Sequence, residues 1–169
     1  PKSLITVFQN RGNIFYDQND FQAALDIFEI TLEKAKANND VVNVVHAINN
    51  IGASYEEMGK NEIAMQNYLT AIEIYQDRKD YWGEANTLGN ISMVYLKMDK
   101  LENAIQFSNN ALTISKEHQF LELEKFNSEN LAKIYERRGD FEKSLNMYKQ
   151  VQSLQDSLYN QQKFETINL

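Results

Sequence analysis

Few side chains in this sequence could carry acid–base or nucleophilic chemistry. The 169 residues include no cysteine, which excludes thiol catalysis, disulfides and cysteine zinc sites. Neither of the two histidines, His46 and His118, belongs to an HExxH zinc arrangement. Glu56 and Glu57 are adjacent, but neighbouring residues on a helix do not face each other. The sequence therefore predicts no enzyme activity, no metal site and no cofactor, and any kinase or other output module is expected outside these residues.

Asparagine is the residue type whose spacing carries the most information. At intervals of 40 residues the sequence places Asn10, Asn50, Asn90 and Asn130. The same offset aligns small residues, aromatic residues and a second set of small residues. These columns are Gly12, Gly52, Ser92 and Ala132; Phe15, Tyr55, Tyr95 and Tyr135; and Ala24, Ala64, Ala104 and Ser144. Such a period over four copies predicts a stack of similar helical units.

The composition limits the classes of structure and partner. With six glycines and one proline the chain has few helix breakers, so we expect an all-helical fold. Seventeen basic against twenty-four acidic residues give a net charge of -7, which argues against nucleic-acid binding through phosphates. No apolar run approaches the ~18 residues of a membrane helix, so no membrane span is expected. The sequence starts at Pro1 without a basic and apolar leader, and we expect it to be a fragment of a longer protein.

Each copy is predicted to form two helices, because apolar residues keep a 3–4 spacing on both sides of a central break. Gly59 and Gly139 sit at such breaks, where positive φ favours glycine, and Asn19 and Asp99 hold the equivalent positions. The predicted helices span 2–18, 20–37, 40–58, 60–77, 80–98, 100–117 and 120–138, with a last helix from 140. We expect one domain over 1–169, with repeats at about 1–39, 40–79, 80–119 and 120–158 and an exit helix at about 159–169.

The second copy shows the whole column pattern of small, aromatic, turn, small, aromatic and small residues. These residues are Gly52, Tyr55, Gly59, Ala64, Tyr68 and Ala71. The pattern resembles the tetratricopeptide repeat (TPR), although the period of 40 exceeds the usual 34 and the proline after the second helix is missing. A 40-residue period also suits HEAT or armadillo repeats, but the spacing inside the repeat favours the TPR. The resemblance implies an all-α fold, a right-handed superhelix (solenoid) of four helical hairpins with an extended C-terminal helix.

In TPR proteins the first helix of each pair lines a concave groove that holds a protein or peptide. The resemblance therefore implies a peptide groove lined by Asn10, Asn13, His46, Asn49, Asn50, Asn86, Asn90, Met93, Glu129, Asn130 and Lys133. The repeated asparagines have two interpretations. They pair with the backbone amides of a bound peptide, or each one bridges to a neighbouring helix in every copy. The sequence leaves both open.

Charged residues on the predicted groove face change sign along the chain. They are Asp17, Glu56 and Glu57 early and Lys97, Lys133 and Arg137 late. This is either an acidic-to-basic gradient or the scatter of a solvated helix face. The positions that a carboxylate clamp for chaperone tails would use hold no basic residue, so we do not expect chaperone-tail binding.

Two other residues are interpreted structurally. His118 falls at the predicted turn between the third and fourth repeats and is expected to be solvated there. Trp82 begins a first helix and is expected to pack against the preceding repeat, and an exposed, partner-binding role is the alternative.

Long-period TPRs of this kind are similar to those of bacterial sensor histidine kinases and of the Rap and peptide-pheromone receptor group. The segment 148–160, which contains Asp156, Ser157 and Leu158, resembles the exit helix after the last TPR of sensor kinases. The alternative is a terminal helix that covers the last core. The resemblance implies a protein- or peptide-binding sensor or scaffold region of a bacterial two-component protein, with a C-terminal output domain and a periplasmic rather than cytoplasmic position. The alternative function is a constitutive assembly scaffold or adaptor without ligand-dependent switching.

Overall fold

The computed structural model describes residues 2–167, which form eight α-helices and no strand. They are α1 (Lys2–Asp17), α2 (Phe21–Ala37), α3 (Val41–Glu57), α4 (Asn61–Arg78), α5 (Tyr81–Lys97), α6 (Leu101–Glu117), α7 (Leu121–Arg138) and α8 (Phe141–Ile167). The prediction of an all-α chain of four helical hairpins is therefore confirmed. The right-handed superhelical path of the whole chain stays a prediction.

The helix bounds lie within about one residue of the predicted ones because capping residues mark them. Asp20, Asp40 and Asp80 precede α2, α3 and α5, and each carboxylate accepts a hydrogen bond from the backbone amide three residues later. The end of the chain is different. α8 is one uninterrupted helix from Phe141 to Ile167, so no break separates the expected exit helix from the fourth repeat. The last two residues of that prediction, 168 and 169, lie outside the described residues.

The turns between helices use left-handed backbone, as the break positions predict. Gly59 and Gly139 have φ values of 73° and 86°, and Asn19 and Asp99 adopt 61° and 57° at the equivalent positions. The turns between repeats use the same geometry without glycine, at Asn39, Lys79 and Gln119. For these non-glycine residues the left-handed region costs about 1–2 kcal/mol each, because Cβ approaches the following carbonyl oxygen.

Residues Pro1–Lys79 and Asp80–Leu169 form two compact units, here called unit 1 and unit 2. The division falls at the predicted boundary between the second and third repeats. Each unit therefore contains two hairpins. The expectation of a single domain over 1–169 stays a prediction.

Unit 1 shows why the repeat alternates small and aromatic residues. A Cβ atom on Gly12 would lie 2.7 Å from Cδ1 of Phe28, and one on Gly52 would lie 2.9 Å from Cε1 of Tyr68. The first helix of each hairpin can therefore approach the aromatic ring of the second only where it has no side chain. Phe28 packs with Ala24, among other residues, in a buried cluster. Burial of each large apolar side chain contributes about 1.5–3 kcal/mol.

Unit 2 uses a polar version of the same contact. Ser108 replaces the aromatic residue in the third copy, and its hydroxyl group donates to Oγ of Ser92 at 2.8 Å, with both side chains fully buried. Ser92 in turn donates to the carbonyl oxygen of Gly89 at 2.7 Å. The departure of Ser108 from the repeat pattern is therefore compensated by a hydrogen bond between α5 and α6.

Among residues 2–167, no helix combines the length and the apolar character that crossing a bilayer requires.

Candidate functional site

The candidate groove residues lie on the first helices of the four hairpins. Within unit 1 these are α1 and α3, which contact each other, and within unit 2 they are α5 and α7, which also contact each other. Each unit therefore carries its own wall of two neighbouring first helices. The repeated asparagines stand at equivalent positions on both walls. In each wall we can therefore ask whether they face a guest molecule or bridge to a neighbouring helix.

In unit 1 the repeated asparagines are Asn10 and Asn50, and both are at least partly accessible to solvent. The side-chain amide of Asn50 donates to Oδ1 of Asn13 at 3.4 Å, which joins α3 to α1. Asn10 and Asn13 are exposed, and Asn50 is half-buried. Asn49 is only 9% exposed, so it contributes little to the surface of the wall. Here the amides bridge neighbouring helices and remain within reach of a guest molecule.

His46 also lies on the unit 1 wall. Its ring is half-buried, and its centroid lies 6.4 Å from that of Tyr75, with the two ring planes tilted by 43°. The ring thus lies near Tyr75 of α4 and is partly accessible, and its place in the peptide groove stays a prediction.

In unit 2 the fourth member of the column is inside the protein. Asn130 is 2% exposed, and its side-chain amide donates to the carbonyl oxygen of Gly89 at 3.3 Å. Gly89 permits this contact because a Cβ atom there would collide with Oδ1 of Asn127 and lie 2.8 Å from Cε1 of Phe126. Asn130 therefore bridges α7 to α5 and holds the wall together.

The other candidates in unit 2 form a half-buried polar stripe. Asn86, Asn90 and Met93 recur at helical spacing on one face of α5, and each is half-buried. On α7, Glu129 is half-buried and its carboxylate lies 3.8 Å from Nζ of Lys125. Such partial exposure leaves the amide groups of Asn86 and Asn90 partly accessible from solvent.

A cavity of about 530 Å³ lies at the end of this stripe. It is lined by Leu96, Lys97, Lys133, Glu136 and Arg137. The late basic residues that the sequence places on the groove face are therefore grouped around one cavity of unit 2. The guanidinium Nε of Arg137 pairs with Oδ1 of Asp99 at 3.2 Å, and both groups are exposed. With three basic residues against Glu136 and Asp99, the cavity is positive in a chain whose net charge is -7.

The early acidic residues are grouped in unit 1, next to two tyrosines. The hydroxyl group of Tyr68 donates to Oε2 of Glu56 at 2.8 Å, and Glu56 is 8% exposed. Burial and then the Glu56 carboxylate raise the pKa of Tyr68. Burial, followed by the charges of Glu57, Glu56 and Asp17, raises the pKa of Tyr16 to about 12. The acidic end is thus partly a buried structural network and less a free binding surface.

Sequence reasoning missed two arrangements in unit 2. Asn127 is fully buried and donates to Oγ of Ser115 at 3.3 Å, which links α7 to α6. The signal was present, because Asn127 is the one carboxamide in a column whose other members are Val7, Ala47 and Thr87. The second arrangement involves His118. Its ring is not simply solvated but lies 4.0 Å, centroid to centroid, from the stacked ring of Tyr81.

Metal binding has no support in the described residues, where no group of three or more His, Cys, Asp or Glu side chains is placed to hold an ion.

Comparison with protein families gives a match over most of the chain. The model of the family described as Tetratricopeptide repeat matches residues 43–117 and 83–157. No curated protein sequence matches this chain.

Three solved structures illustrate the similarity of fold. BtubC (BKLC) from P. vanneervenii is 19% identical with a TM-score of 0.77, over 94% of this chain and 66% of that protein. The Rap conjugation gene regulator of plasmid pLS20, in complex with a Phr peptide, is 16% identical with a TM-score of 0.80, over 88% of this chain and 42% of that one. The TPR domain of Arabidopsis FLU is 24% identical with a TM-score of 0.62, over 67% of this chain and 96% of that domain. This chain thus spans less than two thirds of the length of the first two.

Proposed function

Because the chain belongs to the tetratricopeptide repeat family, we propose that it is a protein- or peptide-binding region without catalytic activity. Its place would be in a bacterial signal-transduction protein of the two-component sensor-kinase type. The Rap regulator of similar fold is described in complex with a peptide, which supports a peptide as the guest. The binding surface that we propose is the wall of unit 2 formed by α5 and α7.

The observation that carries this proposal is the combination of half-buried amides and a positive cavity on one wall. Asn86 and Asn90 are half-buried on α5, and Lys133 lines the cavity of about 530 Å³ at the end of the same wall. A carboxamide both donates and accepts, so each asparagine can pair with the N–H and C=O of an extended peptide. Each such hydrogen bond contributes about 0.5–1.5 kcal/mol net.

The cavity predicts the orientation of the proposed peptide along the wall. A carboxylate side chain or a C-terminal carboxylate seated beside Lys97 and Lys133 would gain charge-assisted hydrogen bonds, which are about twice as strong as neutral ones. Met93 is half-buried, and in sequence it lies between Asn90 and the cavity residues Leu96 and Lys97. Its side chain offers an adaptable apolar contact. The proposed guest is therefore a peptide whose acidic end lies at the C-terminal ends of α5 and α7.

A peptide array tests the proposal directly. Labelled full-length chain is applied to arrayed random peptides, half of which end in two acidic residues. We expect retention of a subset enriched in the acidic endings. Lys133→Ala should lose that enrichment, whereas Lys149→Ala, which removes an exposed lysine of α8 outside the cavity, should keep it. Equal retention by wild type and Lys133→Ala would refute the role of the cavity.

We propose further that α8 carries the effect of binding to an output domain. α8 is a single helix of 27 residues, and α7 packs against it within unit 2. If α7 can pack in two arrangements, a guest bound between α5 and α7 would shift α7 toward the arrangement to which the guest binds more tightly. The position of α8 would then change with that of α7.

The alternative, a constitutive scaffold, has its own supporting observation. Phe141 and Leu145 on α8 are 70% and 54% exposed, whereas Leu25, which corresponds to Leu145 in the first repeat, is 4% exposed. The apolar stripe of α8 therefore offers a surface to a second copy of the chain. Size-exclusion chromatography with light scattering distinguishes the two functions. A dimer that Leu145→Ser converts to a monomer would favour the scaffold, and a monomer in both would favour the sensor.

A further inference from the structure

A second cavity in unit 2 lies outside the α5–α7 wall. Its volume is about 340 Å³, and it is lined by Trp82, Gln119, Phe120, Leu121, Glu122, Leu158, Gln161 and Gln162. The first turn of α5, the turn before α7, the first turn of α7 and the second half of α8 supply these residues. Two aromatic rings and two leucines thus face the same space as three carboxamides and one carboxylate.

One aromatic residue of this cavity, Phe120, belongs to a stack of three rings. The rings of Tyr81 and His118 are stacked, with centroids 4.0 Å apart and planes 16° apart. The ring of His118 stacks in turn on that of Phe120, at 5.6 Å and 18°. The stack therefore connects Phe120 to the first turn of α5, where Trp82 also lies. A ring fixed as Phe120 is requires little reorganisation when a ligand enters.

The charge of the cavity is negative. Glu122 is the one charged residue among the described residues that line it. The N-terminus of α7 carries roughly half a positive charge, which the full negative charge of Glu122 exceeds. Trp82 is 48% exposed, so the cavity is open to solute from outside.

From these features we infer that this cavity binds small organic ammonium ions, with Trp82 and Phe120 against the cation and Glu122 as its counter-charge. Tryptophan offers the strongest aromatic face for a cation. The carboxamides of Gln119 and Gln162 add acceptors for the N–H groups of a primary ammonium. The same chemistry is carried by free alkylamines, by quaternary ammonium compounds and by lysine side chains.

The protein contains its own reporter, because Trp82 is its single tryptophan. Full-length chain is titrated with tetramethylammonium chloride, with butylammonium chloride and with the neutral isostere 3,3-dimethylbutanol, and Trp82 fluorescence is followed. Potassium chloride at equal ionic strength controls for screening. We expect saturable changes with both ammonium salts, with Kd on the order of millimolar, and none with the neutral compound or with potassium chloride.

The relative affinities identify the source of the ammonium group. Tighter butylammonium binding points to a primary amine such as a lysine side chain, and tighter tetramethylammonium binding points to a quaternary ligand. Either result supports the inference.

Two variants test the assigned residues. Glu122→Gln should raise the Kd for tetramethylammonium about tenfold because it removes the counter-charge and keeps the shape. Glu142→Gln, which removes an exposed carboxylate at the start of α8 away from the cavity, should leave the Kd unchanged. Phe120→Leu should weaken binding about five-fold through loss of the ring. Circular dichroism spectra verify that each variant is folded.

Three results would overturn the inference: no saturable change with either ammonium salt, an equal response to the neutral isostere, or the same loss of affinity in Glu142→Gln as in Glu122→Gln.

Discussion

At the residue scale, the repeated asparagines have different roles in different copies. Asn130 is buried and bonded to Gly89, whereas Asn50 is half-buried and bonded to Asn13. Asn10 is exposed. The two interpretations that the sequence left open are therefore not exclusive, because a side chain can bridge two first helices and still present its amide at the surface. The burial of each asparagine decides how far its amide is accessible to a guest in that copy.

The close approach of α5 and α7 at Gly89 leads to a prediction on stability. Gly89→Ala should lower the free energy of unfolding by about 1–3 kcal/mol, because the added Cβ collides with Oδ1 of Asn127 and crowds Phe126. In an Asn127→Ala background the same substitution should cost less, since one of the two crowding groups is gone. Urea unfolding of the wild type, the two single variants and the double variant measures this double-mutant cycle. Strictly additive effects would show that Asn127 does not crowd this position.

The raised pKa of Tyr16 in unit 1 predicts a dependence of stability on pH. Burial raises the pKa of Tyr16 from 10.0 to about 12. Between these values the unfolded chain loses the proton and the folded chain keeps it, so the free energy of unfolding must fall as pH rises. Tyr16→Phe should reduce this fall, and the exposed Tyr159→Phe should not. Urea unfolding of all three proteins at pH 9 and at pH 11.5 makes the comparison. Parallel losses in all three would contradict the assignment.

At the element scale, the turns predict stability changes of opposite sign. Gly139 and Lys79 both end a helix in left-handed backbone, with φ of 86° and 55°. Gly139→Ala should therefore destabilise the chain by about 1 kcal/mol, and Lys79→Gly should stabilise it by about 0.5–1 kcal/mol. Thermal unfolding of both variants tests this, and a shift of the same sign in both would argue against backbone strain as the cause.

The elements were the most predictable part of the molecule. Apolar spacing and the left-handed turn residues place the bounds of α1 to α7 and the start of α8 within about one residue. α8 was predicted less well, since no glycine or proline lies within it to suggest where it ends. For the candidate site, the sequence predicted which residues share a helix face, and Lys97, Lys133 and Arg137 do line one cavity. The burial of Asn130 and the stack at His118 depend on fractions of a helical turn and on side-chain packing, which periodicity does not specify.

At the scale of the whole molecule, the chain consists of two compact units with two hairpins each. In repeat proteins stability is approximately a sum over hairpins and the interfaces between neighbours. Residues 80–169 alone should therefore fold into a helical unit that unfolds cooperatively, because α5, α6, α7 and α8 contact one another in sequence. Circular dichroism during urea unfolding of this fragment tests the prediction. A spectrum without helix, or a gradual loss of signal, would show that unit 2 needs unit 1.

The central claim is that the α5–α7 wall binds a peptide through half-buried amides and a positive cavity. The most direct measurement is calorimetric titration of an array-selected acidic peptide into wild type, Asn90→Ala and the control Asn109→Ala, which changes an exposed asparagine of α6. We predict that Asn90→Ala raises the Kd about three- to tenfold, as expected for one lost hydrogen bond, and that Asn109→Ala has no effect. An unchanged Kd for a folded Asn90→Ala variant would contradict the claim.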